Sequence, residues 1–356
     1  MSSKKIMIRA DGNAMIGAGH IMRCLSVAAA AKELGAECLF VTADSSFSET
    51  IKRYEISQIV LESDYSDLKR ELEVFSRVID ENHPAVLLID SYHVTEHYLL
   101  SLRDHVKTAY IDDFKKDIYP VDYLINYTPD ATYSDYAHLY ENVIQPPVFL
   151  LGEAYTPLRK EFQNLEEQPI RKIVKDVLFS AGGADPERIA LRFIKRLLSC
   201  SDLMDIRFHL VLGKYEPDID EILSLCIEHP NLIPHRNVTH MADLMRQCDA
   251  AVSAAGSTLY ELSACGIPTI TYILEDNQIA GALAFESKGI MINAGDVRGN
   301  QLFFDDLINT LRAVCSNYDL RSGMHFKAVR IVDGRGAARV AQTLLQKYRD
   351  TNIKDW

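Results

Sequence analysis

Short apolar runs recur along the chain, each followed by a longer stretch whose apolar positions return at helical spacing. In the first part the runs predict strands at Ile6–Arg9, Cys38–Thr42, Ser57–Leu61, Val86–Ile89, Thr108–Ile111 and Tyr123–Ile125. Helices are predicted between them, from Ile21 to Leu34 with Gly35 as a stop, from Ser66 to Asn82, and from Glu96 to His105. Pro146 and Pro147, then Val148–Leu151 and the charged stretch from Arg159 to Lys175, read as a connection. Afterwards the alternation restarts, with strands at Asp176–Ser180, Phe208–Leu212, Asn231–Pro234, Ala250–Ser253, Pro268–Ile273 and Met291–Asn293. Helices are predicted from Pro186 to Leu198, over Met241–Gln247, from Thr258 to Gly266, and over Asn277–Lys288, Gln301–Cys315 and Ala337–Arg349. Such alternation is the mark of parallel sheets with helices on both faces. The expected fold class is α/β, in two Rossmann-like doubly wound domains, 1–158 and 172–335. The segment 336–356 is a final helix able to cross back to the first domain.

At 356 residues, with 47% hydrophobic and 25% charged positions, the chain has the composition of an ordinary globular protein and room for two domains. No apolar run reaches the length of a membrane helix, and the N-terminus lacks the apolar core of a secretory leader. Seven widely spaced cysteines without a C-x-x-C pair read as reduced thiols, so a cytoplasmic location is expected. The net charge of −12 is uneven: residues 1–150 hold 14 Lys and Arg against 23 Asp and Glu. Nucleic acid and anionic membrane are therefore poor partners. A phosphate could still be held by backbone N–H groups at a helix start, more readily in the less acidic second half.

Gly17-Ala18-Gly19 invites a dinucleotide interpretation, but Met22 replaces the third glycine, and about seven residues separate the strand from Gly17 where the fingerprint turns tightly. A nicotinamide or flavin oxidoreductase is the least favoured class. His20 carries more information. It opens a helix at the C-terminal edge of the first sheet, where open α/β sheets bind ligands. A histidine there either caps locally or meets a ligand; the glycines leave room for one, and a helix start disfavours a cation, so a neutral imidazole suited to general-base work is the sharper alternative. In the second half, Gly256-Ser257-Thr258 opens a helix that can hold a diphosphate, and Gly182-Gly183 offers a second close backbone approach. Glu261, one turn in, is placed either for ribose hydroxyls or simply as a first-turn carboxylate. Asp90-Ser91-Tyr92, Asp112-Asp113 and Asn277-Gln278 close predicted strands or open helices on the same edge, where caps and turns are the plainer interpretation. Asp218-Ile219-Asp220 reads as a solvated first turn, and no metal or cofactor is indicated.

The run Arg9-Ala10-Asp11 through Ile16-Gly17-Ala18-Gly19-His20-Ile21-Met22-Arg23 resembles the opening of the UDP-2,4-diacetamido-2,4,6-trideoxy-β-L-altropyranose hydrolases of pseudaminic acid biosynthesis. Leu88-Ile89-Asp90-Ser91-Tyr92, Ile111-Asp112-Asp113, Leu158–Phe162, Ala181–Asp185, Ser253–Glu261 and Glu275–Gln278 continue the resemblance in order. Spore-coat polysaccharide proteins share much of this pattern. The second half is more distantly similar to the undecaprenyl-muramoyl-pentapeptide N-acetylglucosaminyltransferase. The resemblance implies a GT-B-like fold whose two domains face a cleft, UDP held mainly by the second domain, and metal-independent inverting hydrolysis at the anomeric C–O bond. It assigns the catalytic histidine to His20, an active-site tyrosine to Tyr92 and a cleft asparagine to Asn277. Asp11 and Arg23 fall at motif positions, Asp11 grouped with the catalytic residues. Arg23, Gly17, Gly19, Gly182, Gly183, Gly256, Ser257, Thr258, Glu261 and Gln278 are grouped with UDP or substrate binding. The partner is then the UDP-sugar itself, with no obligate protein partner evident. A glycosyltransferase on the same fold and a non-catalytic nucleotide-sugar binder are the alternatives.

Overall fold

The computed structural model describes residues 4–183, 185 and 187–346. Ala184, Pro186 and the end of the predicted helix Ala337–Arg349 lie outside the described residues. The first half forms a seven-stranded parallel sheet in the order β3-β2-β1-β4-β5-β6-β7. Its strands are β1 (Lys5–Ala10), β2 (Glu37–Thr42), β3 (Ser57–Val60), β4 (Val86–Asp90), β5 (Thr108–Ile111), β6 (Tyr123–Asn126) and β7 (Val148–Leu151). The second half forms a six-stranded parallel sheet in the order β10-β9-β8-β11-β12-β13. These strands are β8 (Asp176–Ser180), β9 (Arg207–Leu212), β10 (Leu232–Arg236), β11 (Ala250–Ala254), β12 (Thr269–Ile273) and β13 (Met291–Asp296).

Strands β1, β4, β8 and β11 are buried along nearly their whole length because helices cover both sheet faces, which is why they read as continuous apolar runs. In each sheet the chain order reverses beside the first strand, between β1 and β4 and between β8 and β11. Loops diverge at such switch points and leave a crevice at the C-terminal edge. Helix α1 (Gly19–Glu33) leaves the first switch point, and α9 (Thr258–Ala264) the second.

Three helices escape the pattern reading: α2 (Ser48–Arg53), α5 (Tyr133–Tyr140) and α12 (Tyr318–Ala328). The first two are short, and α12 buries Arg321 and His325, so none shows a clean apolar stripe. The predicted helix Ser66–Asn82 divides into a 3₁₀ turn at Leu68–Glu71 and α3 (Leu72–Asn82), because Glu71 turns inward to Arg9. Val148–Leu151 belongs to the first sheet as its edge strand, so the connection begins after it.

Helix α13 (Gly336–Leu345) packs against α1, and one apolar cluster runs from Ile21 and Leu25 to Val340 and Leu344. The glycine loops of the two halves also touch. A Cβ on Gly183 would sit 3.4 Å from the backbone N of Ala18, and a Cβ on Gly213 would sit 2.4 Å from the Gly183 carbonyl oxygen. Gly213 thus supports the Gly182-Gly183 loop from beneath, at a separation that a side chain forbids. Gly213→Ala is expected to cost about 1–3 kcal/mol through overpacking, read as a lower urea midpoint at unchanged slope.

Candidate active site

The loop between β1 and α1 is shaped by Asn13, whose side-chain oxygen accepts the N–H groups of Met15 and Ile16 at 2.8 and 3.1 Å. Gly17 then takes φ +70°, a conformation costly for other residues, and α1 begins two residues later. This turn delivers His20 to the crevice, buried, with Nδ1 at 2.6 Å from Asp90 Oδ1. Asp90 closes β4, a strand whose residues are all buried.

Arg23, one helical turn after His20, forks the same carboxylate. Its Nε donates to Oδ2 and its Nη2 to Oδ1, both at 2.6 Å. The remaining donors reach Asp113 at 2.9 and 3.1 Å and the Tyr127 hydroxyl. Burial alone would push the Asp90 carboxyl up, but Arg23 and His20 outweigh it and hold it well below the usual carboxylate range. An ionised Asp90 can only accept, so the His20 Nδ1 carries the proton and, in the neutral ring, Nε2 keeps the lone pair.

A small cavity lies beside this pair, lined by Asp11, Ile16, His20, Asp90, Tyr92 and their neighbours. Asp11 reaches the cavity wall with both oxygens engaged, one by the Ala43 N–H at 2.6 Å and the other by Arg9. The Tyr92 ring stands edge-on to the imidazole with centroids 4.4 Å apart. Burial and the nearby Asp113 push its hydroxyl above the ordinary phenol value, so it serves as a neutral hydrogen-bonding group. The cleft is bridged here: Asn277 Nδ2, from the second half, donates to the Tyr92 hydroxyl at 2.7 Å. Asn277 Oδ1 is buried with no hydrogen-bond partner among the described residues.

The second half contributes mainly backbone. Gly182 takes φ +97° after β8, and α9 opens at Thr258 with no side chain capping its first turn. Gly256 and Ser257 lie in the loop before it, their carbonyls accepting the N–H groups of Leu259 and Tyr260. Glu261 accepts from Arg159 Nη2 at 2.9 Å, so an arginine of the connecting segment already occupies this carboxylate. Gln278 Oε1 accepts the Leu274 N–H at 2.9 Å and thereby shapes the turn that presents Asn277. Of the residues singled out by sequence, His20, Asp11, Arg23, Tyr92 and Asn277 gather around one crevice. Gly17 and Gly19 shape its rim, while Glu261 and Gln278 bond to protein groups.

Asp90 and Asp113 join the site from positions that sequence alone reads as caps or turns, and Tyr127 from one it does not single out. The one local sign is an acidic residue closing the apolar run Val86–Ile89 at a strand's C-terminal end.

No family model matches the chain. The spore coat polysaccharide biosynthesis protein SpsG of Bacillus subtilis is 25% identical over 352 residues, covering 96% of this chain and 98% of that protein. A UDP-2,4-diacetamido-2,4,6-trideoxy-β-L-altropyranose hydrolase of Campylobacter jejuni is 25% identical over 287 residues, covering 79% of this chain and 96% of that protein. The chain's homologues include this hydrolase and this spore-coat protein. Among solved structures, MurG of Acinetobacter baumannii superimposes with a TM-score of 0.65 at 13% identity, over 96% of this chain and 99% of its own. MnaA of S. aureus, solved with UDP, gives 0.67 at 13% identity, over 98% and 100%. The fold is GT-B. No helix among the described residues is long and apolar enough to cross a membrane.

Beside the second glycine loop, burial and the neighbouring Asp185 and Asp218 push the Glu216 carboxyl up to about 7. In the unfolded chain it ionises near 4.3. Between these values the folded state retains a proton that the unfolded state has lost, so this group lowers stability as pH rises through the window. Glu216→Gln removes the penalty and keeps an acceptor for the Asp218 N–H. Its gain in thermal midpoint over the parent is expected to be absent near pH 4, to grow towards pH 7 and to level off above.

Proposed function

We propose that the protein hydrolyses a UDP-linked 2,4-diacetamido-2,4,6-trideoxyhexose, releasing UDP and the free sugar. The observation that carries this is the His20–Asp90 pair beside a small cavity, at the edge of a cleft bridged by Asn277 and Tyr92. The relative from Campylobacter jejuni, named as a hydrolase of such a sugar nucleotide, supports the substrate class.

His20 Nε2 takes a proton from water as the water oxygen bonds to the anomeric carbon. The C–O bond to UDP breaks, its electron pair staying on the β-phosphate oxygen, and attack from the face opposite UDP inverts the centre. An ordinary glycoside needs a second carboxyl to protonate an alkoxide leaving group. A diphosphate leaves as a stable anion, so one base is enough. Asp90 holds the ring in the required tautomer and steadies the imidazolium that forms, a division of labour known from other His–Asp pairs. Asn277 and Tyr92 orient sugar or water, with Asn277 Oδ1 free to accept from an amide or hydroxyl. The backbone at Gly182-Gly183 and Gly256–Thr258 receives the diphosphate, and no metal takes part. The free sugar would enter nonulosonic, pseudaminic-type synthesis in the cytoplasm for surface glycosylation, as of flagellin.

The GT-B fold shared with MurG favours one second reading, transfer to an acceptor hydroxyl in place of water. Both are tested by incubating the protein with the UDP-sugar in oxygen-18 water without acceptor. Label on an inverted free sugar, with release unaffected by EDTA, is the expected result; no turnover favours a transferase or a binder, and label on UDP indicates P–O cleavage. Folded His20→Ala and His20→Asn variants are expected to lose about 10²–10⁴-fold in kcat. Appreciable hydrolysis by either rejects His20 as the base.

A further inference from the structure

We propose that Arg23 and Asp113 are positioning residues that set the basicity of His20, Arg23 holding it down and Asp113 moderating Arg23. This rests on His20 being the base. The role of such a pair follows from the geometry. A carboxylate at 2.6 Å from Nδ1 favours the imidazolium, while burial of the ring opposes it. Arg23 adds to that opposition in two ways. Its fork shares the charge of both Asp90 oxygens, and its Nη2 lies 3.2 Å from the same Nδ1, placing a permanent cation against the ring.

Asp113 engages the other side of the guanidinium through both of its oxygens. With its side chain 18% exposed, it is partly hydrated and draws off only part of the charge. Tyr127 adds a neutral hydroxyl. The other groups around His20 leave these two in control. Asp11, from the end of β1, is already paired with Arg9, which also forks Glu71. Tyr92 and His93 follow β4 in the chain, Cys24 lies on α1 and donates to Asp90 at 3.5 Å, and the second half presents uncharged Asn277 through Tyr92.

The test is an NMR titration of imidazole nitrogens in the full chain labelled with ¹⁵N-histidine, His20 being assigned by its absence from His20→Asn. Arg23→Gln is expected to raise the His20 midpoint by about one to three units. Asp113→Asn is expected to lower it, and Arg23→Lys, which keeps the charge, to stay near the parent. The acid limb of the kcat/KM profile should follow each shift. Midpoints that do not move, or that move in one direction for both charge removals, overturn the proposal. If Arg23→Gln does not fold, Asp113→Asn at the rim decides the matter alone. The titration needs no substrate, so the tuning can fail while hydrolysis stands, and hydrolysis can fail while the tuning stands.

Discussion

A carboxylate at the end of a fully buried strand is the constraint around which the first half is organised. An isolated charge in such a place is very costly, and it persists only when paired and hydrogen bonded. Asp90 is satisfied by one turn of α1, through His20 and Arg23, so the helix that leaves β1 is pinned to the end of β4 across the switch point. The same requirement spreads outward. Arg23 carries more donors than Asp90 can accept, and its surplus draws in Asp113 and Tyr127 from just past the ends of the next two strands. Breaking any one link would leave another group buried and charged.

The acid excess of residues 1–150 takes on a different meaning in this light. Asp11, Glu71, Asp90 and Asp112 are buried, engaged by Arg9, Arg23, backbone N–H groups and tyrosine hydroxyls. Part of the charge that argues against polyanionic partners is therefore internal scaffolding rather than surface field. The second half does the opposite. Around its switch point it presents glycine loops and the start of a short helix. On the proposed function, the first half supplies proton transfer and the second holds a phosphate by its backbone.

Fold and chemistry are separable here. GT-B structures at 13% identity superimpose over nearly the whole chain, and what a fold of this kind does depends on the site placed upon it. Contacts across the cleft decide how that site is completed: Gly183 against Ala18, Asn277 on Tyr92, the Tyr127 and Tyr260 rings 5.1 Å apart, and α13 returning to α1. These hold the halves in register about the crevice that contains His20.

By itself the sequence determined the alternation of strands and helices and the two glycine loops, and it singled out His20 as a candidate. Parallel strands covered on both faces must be apolar throughout, and tight backbone approaches require glycine, so both leave local traces. The short or mixed helices α2, α5 and α12 left none, since their burial is supplied by neighbours. The partners of His20 left little beyond an acidic residue closing the run Val86–Ile89. Asp90 lies 70 positions away, Tyr127 lies 104 from Arg23, and Asn277 lies 185 from Tyr92. Strand order brings them together, and strand order is a global solution to burying two sheets. Only the tertiary structure could show that an aspartate resembling a turn residue is the charge that His20 and Arg23 share.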